Sequence, residues 1–154
     1  ERMKSRFFTI AIFSSVLLSL TAYAASDKDK EKMMSLIKDA SPYVAGMGKS
    51  IDEVCQDMAN DMVKKYGNQL SAIGKSPSDI RDSSYGICFD AASSASLSQS
   101  IEEVSMWKNA AMQNINATFR GENEQSPARK FLVETIDHSE KMAKTIAFMR
   151  EISQ

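Results

Sequence analysis

The sequence predicts an all-α fold: a small up-and-down bundle of about four to five helices, closed by one disulfide and following a cleaved signal peptide. Three observations lead there. Apolar residues recur at steps of three and four along each long segment, with no convincing alternation of the strand type. Serine caps, two of them followed by proline, mark helix starts. Two cysteines, Cys55 and Cys88, follow a leader of the export type.

The leader comes first in the chain. Lys4 and Arg6 stand before the uncharged stretch Phe7–Leu20, "FFTIAIFSSVLLSL", and Ala22-Tyr23-Ala24 supplies a small-x-small cleavage site. At 14 residues the apolar run falls short of the roughly 20 that span a bilayer. Residues 1–24 therefore read as a signal peptide, with Glu1 and Arg2 leading Met3, and residues 25–154 as a single helical domain. An uncleaved signal anchor is the competing reading. No cysteine follows the apolar run directly, which argues against a lipid anchor. Cleavage leaves 130 residues with 16 basic and 19 acidic side chains, net −3. Such a mixed, mildly acidic chain has no electrostatic footprint for nucleic acid and no stable membrane span. Export together with two cysteines points to an oxidising compartment, periplasmic or secreted.

In the domain, Met33, Met34, Ile37 and Ala40 suggest a first helix over 27–40, and "SPYVAGMGK" at 41–49 a connector. "SIDE" at 50–53 is a capping box, with Ser50 and Glu53 as its two members. Ile51, Cys55, Met58, Met62 and Tyr66 follow as one apolar stripe, and Gly67 or Gly74 ends this helix. "SPSD" at 76–79 opens the next. Small residues dominate 91–100, so the span divides into helices over 77–95 and 98–120, or forms one long kinked helix. Leu97, Ile101, Val104, Ala111, Ile115 and Phe119 mark the buried side of its second half, and Gly121 its C-terminal stop. Ser126 and Pro127 start the last helix, whose stripe is Leu132, Ile136, Met142, Ala143, Ile146 and Met149.

Cys88 lies in "YGICFDAASSAS", where three chemistries compete. As a nucleophile it would need a base to form its thiolate. The single histidine, His138, with Asp137, Asp90 or an asparagine to orient it, is the one candidate, and no glycine-rich nucleophile turn supports it. As a metal ligand it lacks company, since two thiols and one imidazole are too few for a closed zinc site. As half of a crosslink it has Cys55, in step with Ile51 and Met58 on a buried stripe. A Cys55–Cys88 disulfide would constrain the unfolded chain by roughly 3–4 kcal/mol. Gly86 is expected to let the two helices approach, and the small run Ala91–Ser96 to extend that contact face.

Other constellations are weaker. Nine methionines remain after cleavage, and Met58 with Met62, one turn apart, has the spacing of a thioether pair for Cu(I); core filling is the plainer role. Glu102 and Glu103 are adjacent and so do not form a paired-carboxylate site. "NAT" at 116–118 matches a glycosylation pattern only by accident. Trp107 either covers the core edge or, with Met106 and Met112, anchors a partner.

These residues favour a non-enzymatic binding protein of the cell envelope, without cofactor, that recognises another protein as inhibitors, immunity factors and chaperone-like modules do. The alternatives are a small thiol-dependent or acid/base hydrolase using Cys88 or a carboxylate, and methionine-based copper binding. Homodimerisation through spare apolar surface fits the composition. Mass spectrometry of the exported protein is expected to place its N-terminus at Ala25; a chain retaining Phe7–Leu20 would identify a signal anchor instead.

Overall fold

The computed structural model describes residues 49–98 and 100–152, together with Glu31. Residues 1–24, expected as a signal peptide, residues 41–48 of the expected connector 41–49 and, apart from the helical Glu31, the helix expected over 27–40 lie outside the described residues. Four helices account for the described chain: α1 (Ile51–Ser71), α2 (Pro77–Leu97), α3 (Ile101–Thr118) and α4 (Pro127–Ile152). No strand occurs among the described residues.

Local chemistry sets each boundary. Ser50 Oγ accepts from the Glu53 amide (3.0 Å) while Glu53 returns a bond to the Ser50 amide (2.7 Å), the reciprocal box expected from "SIDE". Ser76 and Asp79 do the same at the start of α2, with Pro77 in the first turn. α1 runs through Gly67 and stops beyond Ser71. There the Lys75 amide reaches Leu70 O and the Gly74 amide Ser71 O, around a Gly74 at φ +83°. This is a Schellman stop, and it needs a residue that tolerates the left-handed region. Gly121, also at φ +83°, follows α3 in the same conformation. Ser126 Oγ accepts from the Arg129 amide (3.2 Å) and caps α4.

The division between α2 and α3 falls at 98–100, so the span holds two helices and not one kinked rod. Ser98 turns extended, at φ −70° and ψ 147°. The orphan carbonyls of the last turn of α2 find donors from elsewhere: Arg150 Nη1 on α4 donates to Ala95 O (3.2 Å) and Ser98 O (2.9 Å). Ser96 and Ser98 hydroxyls bond back to Ala92 O and Ser94 O.

The helices run alternately up and down. Cys55 and Asn60 on α1 meet Cys88 and Arg81 on α2, and Met58 and Tyr66 on α1 meet Ser139 and Glu134 on α4, each pair of contacts running in opposite chain directions. Lys108 near the start of α3 pairs with Asp137 and Glu140 on α4, while Asn116 near its end bonds Arg129. α4 is central, and from Met142 to Met149 only Lys144 escapes full burial.

Cys55 and Cys88 stand at disulfide distance, their Cα atoms 5.5 Å apart and both side chains 0% exposed. Around them pack Ile51, Val54, Met58, Ala91, Ala92, Ala95, Val104, Met142 and Ile146. A second cluster, Met62, Tyr66, Leu70, Ile80 and Phe131, fills the opposite end. The expected stripe on α1 is buried throughout, and so are Ile136, Met142, Ala143, Ile146 and Met149 on α4, with Leu132 half-buried. Ser84, one turn before Cys88, is fully buried and its hydroxyl has no partner.

Three expectations are corrected. Gly86 does not face α1. It is exposed, and a Cβ there would meet nothing within 4 Å. Close approach comes instead from Ala91, Ala92 and Ala95, on the buried side of the helix. Leu97 is 84% exposed, because the last turn of α2 carries it to the side turned away from the core. Of the side expected to be buried on α3, only Val104 is fully so; Ile101, Ala111, Ile115 and Phe119 are half-covered, since α3 leans on α4 but stands off from α2.

Replacing both cysteines by alanine is expected to cost about 3–4 kcal/mol of unfolding free energy, measured by guanidinium titration under non-reducing conditions. A loss below about 1 kcal/mol, within ordinary substitution effects, would remove the bridge from its structural role.

Candidate binding groove

The stand-off between α2 and α3 leaves a cleft. Near the 98–100 connector the two helices are tied by Trp107 Nε1, which donates to Asp90 Oδ2 (2.9 Å). Beyond that tie lie two hollows, of about 300 Å³ and 430 Å³. The first is lined by Ile87 and Asp90 on α2, Trp107, Ala111, Asn114 and Ile115 on α3, and Ile136 on α4. The second has Asp79, Ile80, Asp82 and Ser83 on α2, Thr118 and Phe119 at the end of α3, and Phe131 and Leu132 on α4.

These hollows are end to end. On each helix the residues of one follow those of the other by a single turn: Ser83 and Ile87, Ile115 and Phe119, Leu132 and Ile136. Together they make one apolar groove, with α2 and α3 as walls and α4 as floor. From Trp107 to Phe119 it extends roughly 18 Å, at 1.5 Å per helical residue. Leu70 closes its far end, beside Lys75.

Sequence reasoning placed partner contacts at Trp107, Met106 and Met112, and the structure does not bring the three together. Trp107 is half-buried in the groove wall and packs against the main core cluster, at the core edge. Met106 is 68% exposed, and Met112 is half-buried; neither lines the groove. The reasoning missed Ile87, Ile115, Phe119 and Leu132 as groove residues. Their apolar spacing was visible, but its partial burial was not.

A polar clasp holds α1 to α4 on another face. Glu134 accepts from Lys65 Nζ (2.6 Å) and from the Tyr66 hydroxyl, with His138 Nε2 3.5 Å away. Burial pushes the Tyr66 phenol above its ordinary range, and the bond to Glu134 pushes it the same way. For Glu134 burial acts upward too, but Lys65 and Tyr66 outweigh it and hold the carboxyl below its usual value. On the α3–α4 side, burial works against the Lys108 charge, and Asp137 (3.0 Å) and Glu140 (3.1 Å) more than compensate, raising its pKa.

These groups tie helices together. In the bridged state Cys88 offers no thiolate, and its sulfur lies 3.7 Å from Met142 Sδ in the core. His138 stands beside Glu134 in the α1–α4 clasp. Met58 and Met62 are buried in separate core clusters, with Met58 Sδ accepting from Ser139 Oγ (3.4 Å). Among the described residues no group of three His, Cys, Asp or Glu side chains could hold a metal ion, and no helix is long and apolar enough to cross a membrane. No family model, curated protein or solved structure matches this chain.

The clasp gives the fold an acid-sensitive component. Because folding lowers the Glu134 pKa, its stabilisation is full above the unfolded-state value near 4.5 and is lost as pH falls through the folded-state value. Glu134→Gln is expected to be less stable than the parent at pH 7, with the difference shrinking below about pH 4, as measured by thermal melts across pH. A difference independent of pH would show that Glu134 contributes by packing alone.

Proposed function

We propose that this chain is an exported binding protein that recognises another protein of the cell envelope, in the manner of an inhibitor, immunity factor or chaperone-like module. The observation that carries this reading is the apolar groove between α2 and α3. A chain of this size has little apolar area to spare, and leaving Ile87, Ile115, Phe119 and Leu132 in an open cleft costs stability that closing α3 onto α2 would recover. Half-covered apolar side chains around an aromatic wall and a short polar rim have the make-up of a protein-binding surface. Export is supported by the basic, apolar and Ala-x-Ala leader, and by a cysteine pair suited to an oxidising compartment. The bridge and the Ser76–Asp79 capping box hold the α2 wall in place, which lowers the ordering cost of binding on that side.

Ala111 lies half-buried in the groove wall, so a large side chain there would fill the cleft. The partner, identified from an envelope fraction and then purified, is expected to form a stoichiometric complex with the native chain. Ala111→Trp is expected to weaken that complex by about tenfold or more, equivalent to about 1.4 kcal/mol, with little change in thermal stability. Equal affinity of both proteins for the partner would overturn the groove as the binding surface.

A further inference from the structure

The geometry points to a specific occupant for the groove: a basic amphipathic helical segment of about three turns, supplied by the partner, whose apolar side enters the cleft while its lysines or arginines face α2. This deepens the binding reading of the same site and rests on it. The α2 wall contributes Asp79, Asp82 and Asp90 to the groove, and the α3 wall contributes no charged side chain. One cation, Lys75, stands at the far end. Three carboxylates thus rim one side of an apolar slot over twelve residues of helix, roughly 16 Å. Charge on one lip only selects a ligand that is itself two-sided, apolar below and cationic along one flank.

Gly86 supports a close helical approach. It lies between the groove residues Ser83 and Asp90 on the same side of α2, three residues after one and four before the other. A glycine inside a helix is unfavourable relative to alanine, and no neighbour among the described residues requires it, since a Cβ there would meet none of them within 4 Å. Its absence of a side chain lowers the lip of the wall midway between Asp82 and Asp90, where a backbone can come near. Trp107, with its indole N–H on Asp90, places an aromatic face beside that carboxylate, a combination that suits a guanidinium or ammonium.

The test uses the oxidised chain and three synthetic peptides of about 18 residues, long enough to cover the groove in helical form. One is a leucine/lysine amphipathic helix, one its leucine/glutamate counterpart, and one a leucine/lysine sequence of the same composition with the pattern scrambled. Trp107 is the single tryptophan of the chain, so its emission reports binding in the groove. The patterned leucine/lysine peptide is expected to bind about tenfold or more tightly than either control. Asp82→Asn combined with Asp90→Asn is expected to weaken it by about tenfold and to flatten its salt dependence. Asp79 is left in place because it caps α2. Equal binding of the glutamate or scrambled peptide, or indifference to the double substitution, would overturn the basic occupant. So would self-association of the free chain that Ala111→Trp abolishes, since a second copy would then fill the cleft. With the purified envelope partner the two readings separate. A complex broken by Ala111→Trp but indifferent to the aspartate substitutions keeps the groove and rejects the basic segment. A complex indifferent to all three substitutions rejects both.

Discussion

The junction of α1 and α2 at Cys55–Cys88 is the constraint on which the remaining packing is built. It fixes two helices at a Cα separation of 5.5 Å, a distance that only small neighbours allow, and Ala91, Ala92 and Ala95 supply them. Ser84 fits the same requirement at the cost of an unpaired hydroxyl. Once α1 and α2 are joined in this way they form a trough, and α4 lies in it with Ile136, Met142, Ile146 and Met149 buried. α3 comes last in this hierarchy. It has one fully buried residue and holds to α4 through Lys108 and to α2 through Trp107.

That hierarchy explains which parts of the fold were legible in the sequence. Capping chemistry is local, so Ser50, Ser76 and Ser126 announced their helices correctly and Gly121 a stop, while of the two stops open for α1 the helix passes Gly67 and ends before Gly74. The stripes on α1 and α4 were legible because both helices are packed on more than one side. The stripe on α3 was misread for a physical reason. Periodicity shows which side of a helix is apolar but not how much of it is covered, and Ile115 and Phe119 have the spacing of core residues while standing in a cleft. Gly86 misled differently. A glycine near a cysteine suggests close approach, yet helical register places it on the far side of α2 from Cys88.

The candidate site was legible only through Trp107. Aromatic residues that combine core contact with a polar tip are readable from sequence as edge residues. Their neighbours in the groove come from three helices, and nothing local in Ile87, Ile115 or Leu132 records that they meet. Met106 and Met112, one residue before Trp107 and five after it, turn away from it because they stand about 100° and 140° from it around the helix. The same rotation brings Asp90 and Ile87 onto the groove side of α2 while Cys88, between them, faces α1.

Arg150 has a consequence that concerns the order in which the molecule is assembled. It reaches from the end of α4 to hold Ala95 O and Ser98 O, so the turn between α2 and α3 is completed by the part of the described chain that is made last. α4 also covers both cysteine sulfurs, which lie wholly inside the finished protein. In a chain emerging N-terminus first, both cysteines are made before the α4 that covers them in the folded protein. Arrival of α4 seals the bond beneath it. Reductants meeting the folded molecule must then wait for it to open.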